Sequence, residues 1–600
     1  MTRKILAALC CVLLLAGCGP VRTEPEPDAP GGGSEKIIAY VPLDDRPDNV
    51  ERMVYLAESL GYALAMPEED WYRTALDGQP LNGNGTQYGD RGRLFRWVLD
   101  QEAAGCDRYI LSLDQLLSGG LVNSRCAGGY DVSLPGGETV QVYAMLDELL
   151  AALSADGSNV VWLLDSVMRL APTVGYEGGT LEAYNSIRAF GALPRRTLEN
   201  EALNLEDISE SYWWGPDGEN LRSWAKEEGT YETALRHVRS RDRKMVLSYV
   251  TQDTLSQPGH ENFRLLIGID DSSLEDCIQK NEIAYLRRGL RTGADGKQLD
   301  WLLSGVDDLA FKAVAKLYLE ERGWNGGGAA VRYFGGAEDR PACDYDFQPL
   351  TEIMAEHFAF FGLTDQSSDD LSASLQILVL TQPADEGQKE AYYTDLVKAL
   401  RDNREHRRPT ILIDAGNGAY GTAFHQALTK ETELGWLLSY SGFLDMAIVT
   451  GTALSHGVAR YAFLQGGEQT EATERAWART LADSVVKDFS YKNVVRNDLL
   501  AYIRNDLAGD PNNFWVPDID RAAVQTRLES GMDAAAADVV RNLERSNFIS
   551  SLEPYAERGW GGVALENYRF PWDRAFEIGM DIQLGAFTEP HRRVLGFCYQ

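Results

Sequence analysis

The stretch KIIAYVPLDDRPDNVERMVYLAESLGYALAMP, residues 36–67, joins two apolar strand patterns through one helical pattern. The first apolar run ends in a proline, two aspartates and an arginine, and the helical pattern ends at Gly61. A continuous apolar run is typical of a strand that helices cover on both faces. The stretch therefore predicts a strand–helix–strand unit of a parallel sheet.

The same alternation continues along the chain. Apolar runs such as NVVWLLD, FRLLIGIDD, LQILVLTQP and TILIDAG are separated by helical patterns such as LAFKAVAKLYLEERG. We therefore predict the α/β class, with a (β/α)8-barrel-like N-terminal half as the preferred form and tandem doubly wound parallel sheets as the alternative. After residue 465 the strand patterns fade and helical patterns dominate.

A chain of 600 residues is too long for one hydrophobic core, so we expect several segments. They are a lipoprotein signal peptide (1–17), a flexible tether (18–35), an α/β domain with the site (36–365), a second α/β segment (366–465) and a mainly helical C-terminal region (466–600).

The N-terminus combines a basic start with an apolar run that is too short to span a bilayer in the mature protein. The segment Leu-Ala-Gly-Cys resembles the bacterial lipobox, which implies cleavage before Cys18 and lipid attachment to its sulfur. A plain secretory peptide is the alternative. Since the signal directs export, we expect the protein on the extracytoplasmic face of the cell membrane. The lipid chains hold it there, because each buried methylene contributes roughly 0.8 kcal/mol to membrane binding.

The formal net charge of −33 restricts the partners of the folded protein. Such an acidic balance disfavours binding to nucleic-acid phosphates or to anionic lipid head groups. We therefore expect no nucleic-acid partner, and contact with a membrane only through the lipid anchor. The oligomeric state is left open.

Polar residues follow several predicted strands at their carboxyl ends, where parallel α/β folds bind ligands. A single aspartate there more often caps a helix, but caps do not require repeated Asp-Asp doublets or a following arginine. We therefore predict one site. Its candidate binding residues are Asp44, Asp45, Arg46, Asp114, Arg125, Asp165, Arg169 and Asn417.

Asp270 and Asp271 are the predicted catalytic pair. Side chains alternate along a strand, so a doublet at its last residue and first loop residue can turn both carboxylates toward one ligand. Carboxylate pairs hydrolyse glycosidic bonds, one of them protonating the leaving oxygen. FRLLIGIDDSS is similar to the Asp-Asp strand end of substrate-assisted N-acetylhexosaminidases, which implies Asp271 as general acid and Asp270 as the orienting group.

Other chemistries lack their usual sequence patterns. The seven histidines show no HxH or HExxH spacing, and there is no G-x-S-x-G elbow and no Walker loop. We predict no metal site and no cofactor, with Mg²⁺ or Ca²⁺ at the aspartates left open. Asp307 and Asp308 are assigned to cap the following helix, and a disulfide between Cys106 and Cys126 is left open.

Eight motifs occur in order along the chain: VPLDDRPDN, SLDQLLSGGLVNSR, SVMRLAP, IGIDDSS, GVDDLAFKAV, IDAGNGAYG, FSYKNVVR and PWDRAFE. Together they resemble a bacterial family known as domain of unknown function 4127, over nearly the whole mature chain. The resemblance implies a secreted or surface protein and suggests carbohydrate use, without an established activity. The last motif either closes one side of a cleft or docks the C-terminal tail.

The strand-end acids and the expected surface location predict an extracytoplasmic glycoside hydrolase. It would act on N-acetylated amino sugars by acid-assisted hydrolysis with the paired aspartates. A non-catalytic lipoprotein that binds saccharide or cell-wall fragments is one alternative, and a metal-assisted hydrolase is another. In each case we expect the ligand to be a small molecule or a carbohydrate.

Overall fold

The structure, a computed structural model, describes residues 36–341, 345–442, 446–515, 517–550 and 557–588. The predicted signal peptide, the tether and the lipidation site at Cys18 lie outside these residues. Within the described part of the chain, no helix is both long and apolar enough to cross a bilayer.

The first half of the described chain forms a parallel sheet with helices between its strands. The strands are β1 (Lys36–Val41), β2 (Tyr62–Ala65), β3 (Arg108–Ser112), β4 (Asp131–Ser133), β5 (Thr139–Gln141), β6 (Val160–Val167), β7 (Phe263–Ile269) and β8 (Trp301–Ser304). The helices are α1 (Glu51–Ser59), α2 (Glu69–Tyr72), α3 (Arg91–Ala103), α4 (Leu113–Ser118), α5 (Leu121–Ser124), α6 (Val142–Ser154), α7 (Leu181–Ala192), α8 (Leu205–Ser211), α9 (Leu221–Glu227), α10 (Tyr231–Ser256), α11 (Lys280–Arg288) and α12 (Leu309–Glu321). The sheet order is β2-β1-β3-β6-β7-β8, and β4 pairs with β5 in a separate antiparallel hairpin.

A second parallel sheet of five strands follows. Its elements are β9 (Gly327–Phe334), α13 (Leu350–Phe361), β10 (Leu363–Gln366), β11 (Leu375–Leu380), α14 (Lys389–Glu405), β12 (Thr410–Asp414), α15 (Gly421–Glu431), β13 (Ser439–Gly442) and α16 (Met446–Gly466). The strand order of this sheet is β10-β9-β11-β12-β13. Two of its strands, β9 (Gly327–Phe334) and β10 (Leu363–Gln366), lie within or at the end of the segment 36–365, which is assigned from the sequence to the first α/β domain.

The C-terminal region is mainly helical and ends in short strands. It contains α17 (Glu471–Ser484), a π-helix (Val485–Val495), α18 (Arg496–Asn505), α19 (Arg521–Arg545), β14 (Gly559–Trp560), β15 (Val563–Arg569), β16 (Gly579–Leu584) and β17 (Phe587–Thr588). Short 3-10 turns occur at Asn200–Ala202, Glu386–Gln388, Leu434–Trp436 and Pro571–Asp573.

Successive side chains of the first sheet face two different hydrophobic cores. Ala39 and Val41 of β1 pack with α3, α6 and α10 on one face. Ile38 and Tyr40 face a core that also contains α12, α13, α16 and one face of the second sheet. The other face of the second sheet packs against the C-terminal helices. Helices thus cover both faces of both sheets, which explains why the strands are continuously apolar.

The predicted α/β class and the helical C-terminal region are confirmed. Both sheets show the strand order 2-1-3-4-5 of a doubly wound fold, and β8 extends the first sheet at its edge. This order corresponds to the alternative of tandem doubly wound sheets. The preferred barrel-like form is not confirmed.

A buried ion cluster joins α10 to the first sheet. The Lys244 ammonium lies 2.5 Å from Asp165 Oδ1 and also pairs with Asp114. Ser166 donates to Asp114 and Ser248 donates to Asp165, each at 2.6 Å. One cation thus pairs with two carboxylates that sheet packing removes from water, and the two serine hydroxyls add hydrogen bonds to them.

Replacing this cation tests its structural role. We expect Lys244→Met to lower the free energy of unfolding by about 3–5 kcal/mol, because two buried carboxylates lose their counter-ion. Urea unfolding monitored by circular dichroism measures the change. Lys297→Met, at a side chain that is 84% exposed, should stay within about 0.5 kcal/mol of the wild type. Equal stability of the two variants would contradict a structural role for the cluster.

Candidate functional site

A cavity of about 390 Å³ lies at the carboxyl edge of the first sheet. The loops after β1, β3, β6, β7 and β8 all contribute to it, as parallel pairing brings these strand ends to one edge. From this half of the chain it is lined by Arg46, Asp48, Leu121, Val122, Arg125, Arg169, Thr173, Val174, Leu181, Tyr184, Asp270, Asp271 and Asp307.

The remaining wall comes from far along the chain. It consists of Tyr345, Ile448, Lys492, Arg496, Asn512, Pro571, Trp572, Arg574, Phe576 and Glu577. The motif PWDRAFE therefore closes one side of the cavity, which was one of its two interpretations.

Asp270 and Asp271, the predicted catalytic pair, both line this cavity. Their two carboxyl groups have different surroundings. Asp270 is 4% exposed and accepts two hydrogen bonds from Arg125, one of them from Nε at 3.1 Å. Asp271 has a side chain that is 24% exposed, and Arg169 Nη1 lies 3.2 Å from its Oδ2. Burial and the neighbouring Asp270 raise the pKa of Asp271, against the opposing effect of Arg169.

Arg46 reaches the cavity because Asp44 holds it from behind. Asp44 accepts from the Arg46 backbone N–H at 3.0 Å, from Arg46 Nε at 2.9 Å and from Asn49 Nδ2 at 2.8 Å. The far end of Arg46 donates to Asp307 Oδ1 at 2.6 Å. Asp44 is fully buried and shapes the loop after β1, whereas Arg46 and Asp307 face the cavity.

Asp45 faces a neighbouring cavity of about 330 Å³. It accepts from the Thr74 backbone N–H at 3.0 Å and from Trp572 Nε1 at 2.8 Å. Burial and the neighbouring Asp44 raise the pKa of Asp45 to about 7. Trp572 lines both cavities and has a left-handed backbone, with φ of 56°. A bulky residue in this region is strained, so the Asp45 contact helps to hold the wall between the cavities.

Three other predicted binding residues lie outside the cavity lining. Asp114 and Asp165 belong to the buried cluster around Lys244. Asn417 follows β12 of the second sheet, with φ of 46°. In addition, Cys106 and Cys126 are both free thiols, so they form no disulfide with each other.

The sequence interpretation missed several residues of the cavity wall. Asp307 and Asp308 are expected from the sequence to cap α12. Asp308 does occupy the N-cap position, but its side chain makes no capping hydrogen bond to the helix. Asp307 pairs with Arg46, while Asp308 pairs with Lys312 at 2.8 Å. Asp307-Asp308 is the third Asp-Asp doublet that follows a strand, after Asp44-Asp45 and Asp270-Asp271. This repetition is the sequence signal that could have placed Asp307 in the site.

Glu577 is a second acid with unusual surroundings. It is 4% exposed, and its Oε1 has no hydrogen-bond partner within the described residues. Burial and the neighbouring Asp48 raise the pKa of Glu577 to about 8, against Arg46 and Lys492. The group is therefore mainly protonated at neutral pH and can donate a proton into the cavity.

Metal ligation has no preformed geometry here. Across the described ranges, no group of three or more His, Cys, Asp or Glu side chains is arranged to hold an ion. The cavity aspartates Asp270, Asp271 and Asp307 each contact an arginine instead.

The protonation of Glu577 gives a pH-dependent prediction. A raised pKa means that the folded protein retains a proton that the unfolded chain releases above its ordinary pKa of 4.5. The resulting stability is present below about pH 4.5 and is lost as the pH rises through about 8. The wild-type free energy of unfolding should therefore decline between pH 5 and pH 9. In Glu577→Gln, whose side chain stays neutral, we expect this decline to be smaller by more than about 1 kcal/mol.

Urea unfolding of both proteins across this pH range measures the difference. Glu566→Gln is the matched control, since Glu566 is exposed on β15 and should leave the decline unchanged. Parallel pH profiles for wild type and Glu577→Gln would rule out a retained proton.

Comparison with known proteins adds a family but no activity. No curated protein and no solved structure shows significant similarity to the chain. The family described as "Protein of unknown function (DUF4127)" matches residues 38–210 and 235–581, which include both sheets and the cavity wall. The chain therefore belongs to the DUF4127 family.

Proposed function

We propose that the protein is a glycoside hydrolase whose general acid is Asp271. The observation that carries this proposal is the pairing of Asp270 and Asp271 at one cavity, with different partners for the two carboxyl groups. Asp271 is the more exposed of the two and has a raised pKa, which suits a group that must carry a proton. The cavity volume of about 390 Å³ is within the range of small-molecule sites.

Each acid has a defined role in this proposal. Asp271 keeps a proton at a higher pH than an ordinary aspartic acid and donates it to the leaving oxygen of the glycosidic bond. Asp270, held in place by Arg125, provides the carboxylate that stabilises positive charge developing on the sugar ring. Phe576, 36% exposed, and Tyr184 are aromatic residues of the lining against which a sugar can pack.

The proposed preference for N-acetylated amino sugars has narrower support. In a substrate-assisted reaction, Asp270 would orient the acetamido group. Its Oδ2 already accepts from Arg125 and its Oδ1 accepts from the Asp271 backbone N–H at 2.8 Å. A carboxylate has about four acceptor positions, so one further bond to an acetamido N–H fits.

We also propose an extracytoplasmic, lipid-anchored location. Its support is the basic and apolar N-terminal pattern that ends in Leu-Ala-Gly-Cys. A carbohydrate substrate outside the cell is consistent with this location.

Substitution of the proposed acid tests the reaction. We expect Asp271→Asn to lower kcat for aryl glycosides about 10²- to 10⁴-fold, because the amide cannot donate the required proton as an acid. The activity of the wild type should fall as the pH rises through the raised pKa of Asp271. Chelator should leave turnover unchanged. A panel of aryl β- and α-glycosides, with and without the 2-acetamido group, also tests the sugar preference.

Glu275→Gln is the matched control, since Glu275 is exposed in the same loop after β7. It should retain wild-type kcat. Saccharide binding without turnover of any glycoside would favour the non-catalytic alternative, and turnover that chelator abolishes would favour the metal-assisted one. Full activity of Asp271→Asn would reject Asp271 as the acid.

A further inference from the structure

We propose, building on the glycoside hydrolase function above, that the cavity selects a saccharide that carries an oxyanion, and that Arg169 and Arg574 bind this group. The starting observation is a concentration of basic side chains in the cavity of a strongly acidic protein, where five acidic side chains also line the wall: Asp48, Asp270, Asp271, Asp307 and Glu577. Six basic side chains line it among the described residues: Arg46, Arg125, Arg169, Lys492, Arg496 and Arg574. The chain as a whole has a net charge of −33, so this lining is a local feature.

Two of these arginines are already matched by carboxylates. Arg125 places two donors on Asp270. Arg46 lies between Asp44 and Asp307, with contacts of 2.8 and 2.6 Å from its Nη2. Because both guanidinium groups have carboxylates in close contact, they shape the site and do not require an anionic ligand.

Arg169 and Arg574 are held mainly by neutral groups of one short segment. Arg169 donates to the carbonyl oxygens of Ala171 and Pro172, each at 2.9 Å. Arg574 donates to the carbonyl oxygen of Val174, and also to that of Asn512 at 2.8 Å. Carbonyls within residues 171–174 thus bring two guanidinium groups from distant parts of the chain to the same wall.

Charge compensation at this pair is incomplete. Arg169 has one carboxylate contact, to Asp271 at 3.2 Å. The hydrogen bonds of Arg574 go to backbone oxygens, while Asp510 exerts a weaker electrostatic attraction. Burial and the neighbouring Arg169 and Arg46 lower the pKa of Arg574 to about 9. A bound anion would relieve this repulsion between like charges.

The acids of the cavity oppose an anion less than ordinary carboxylates would. The raised pKa values of Asp271 and Glu577 reduce the negative charge that a ligand oxyanion would meet. The planar guanidinium group places two N–H donors in the geometry of carboxylate, phosphate or sulfate oxygens. Uronic acids, sugar phosphates and sugar sulfates share this chemistry, and a direct comparison can separate them.

Binding of matched sugars tests the inference by isothermal titration calorimetry on the purified protein. The ligands are glucuronate, glucose 6-phosphate and glucose 6-sulfate, with glucose as the neutral reference. We expect at least one acidic ligand to bind ten-fold or more tightly than glucose, and Arg574→Gln to weaken it roughly 10- to 100-fold. Arg574→Lys should bind with intermediate affinity, because it keeps the charge and loses the planar donor pair.

Arg527→Gln is the control, since this arginine pairs with Asp498 on the exposed surface of α19. It should keep wild-type affinity. The urea midpoint of each variant shows that it is folded, and Arg169→Gln provides a second test if Arg574→Gln does not fold. Equal affinity for glucose and all three acidic sugars, or unchanged affinity in both folded arginine variants, would overturn the inference.

Turnover measured in parallel separates this inference from the proposed reaction. Arginine-dependent binding of acidic sugars without hydrolysis of any glycoside would support the oxyanion site and overturn the hydrolase. Hydrolysis of neutral aryl glycosides at the same kcat/KM as their glucuronide counterparts would support the hydrolase and overturn the oxyanion preference.

Discussion

The cavity depends on the ion pair between Arg125 and Asp270, which lie 145 positions apart in the chain. Parallel pairing brings the loops after β3 and β7 to one edge of the sheet, but buried charges are stable there only when each has a partner. Two donors from Arg125 fix the orientation of Asp270, and Asp271 follows directly in the chain. A single ion pair therefore positions both acids of the doublet.

The second sheet and the C-terminal region complete a site that the first sheet begins. Helices α12, α13 and α16 fill the core between the sheets, and the C-terminal helices pack on the far face of the second sheet. The chain then returns to the first sheet, where Lys492 of the π-helix and Glu577 line the cavity. π-Helical turns are rare and often occur at functional sites. Residues from both halves of the chain are thus needed to line one cavity.

Part of the site can be predicted from the sequence, because its residues follow strands of the parallel sheet. Asp270, Asp271, Arg125, Arg169 and Arg46 follow strands whose apolar runs are easy to detect, and parallel pairing brings them together. Strand order and partner choice depend on tertiary contacts, so the choice between barrel and doubly wound sheets stayed open. Asp114 and Asp165 have the same local pattern as Asp270, but Lys244 of α10 pairs with both in the interior. Arg574 and Glu577 follow no strand pattern of the first sheet, and only the complete fold brings them to its edge.

Contacts between early and late parts of the chain have a consequence for biosynthesis. Asp45 accepts from Trp572, Asp48 pairs with Lys487 at 3.3 Å, and Glu51 pairs with Arg569. A chain that emerges N-terminus first from the ribosome can form the first sheet long before these partners appear. A prematurely terminated product would hold the aspartate doublet but no enclosed cavity, so ligand capture must await nearly full-length synthesis.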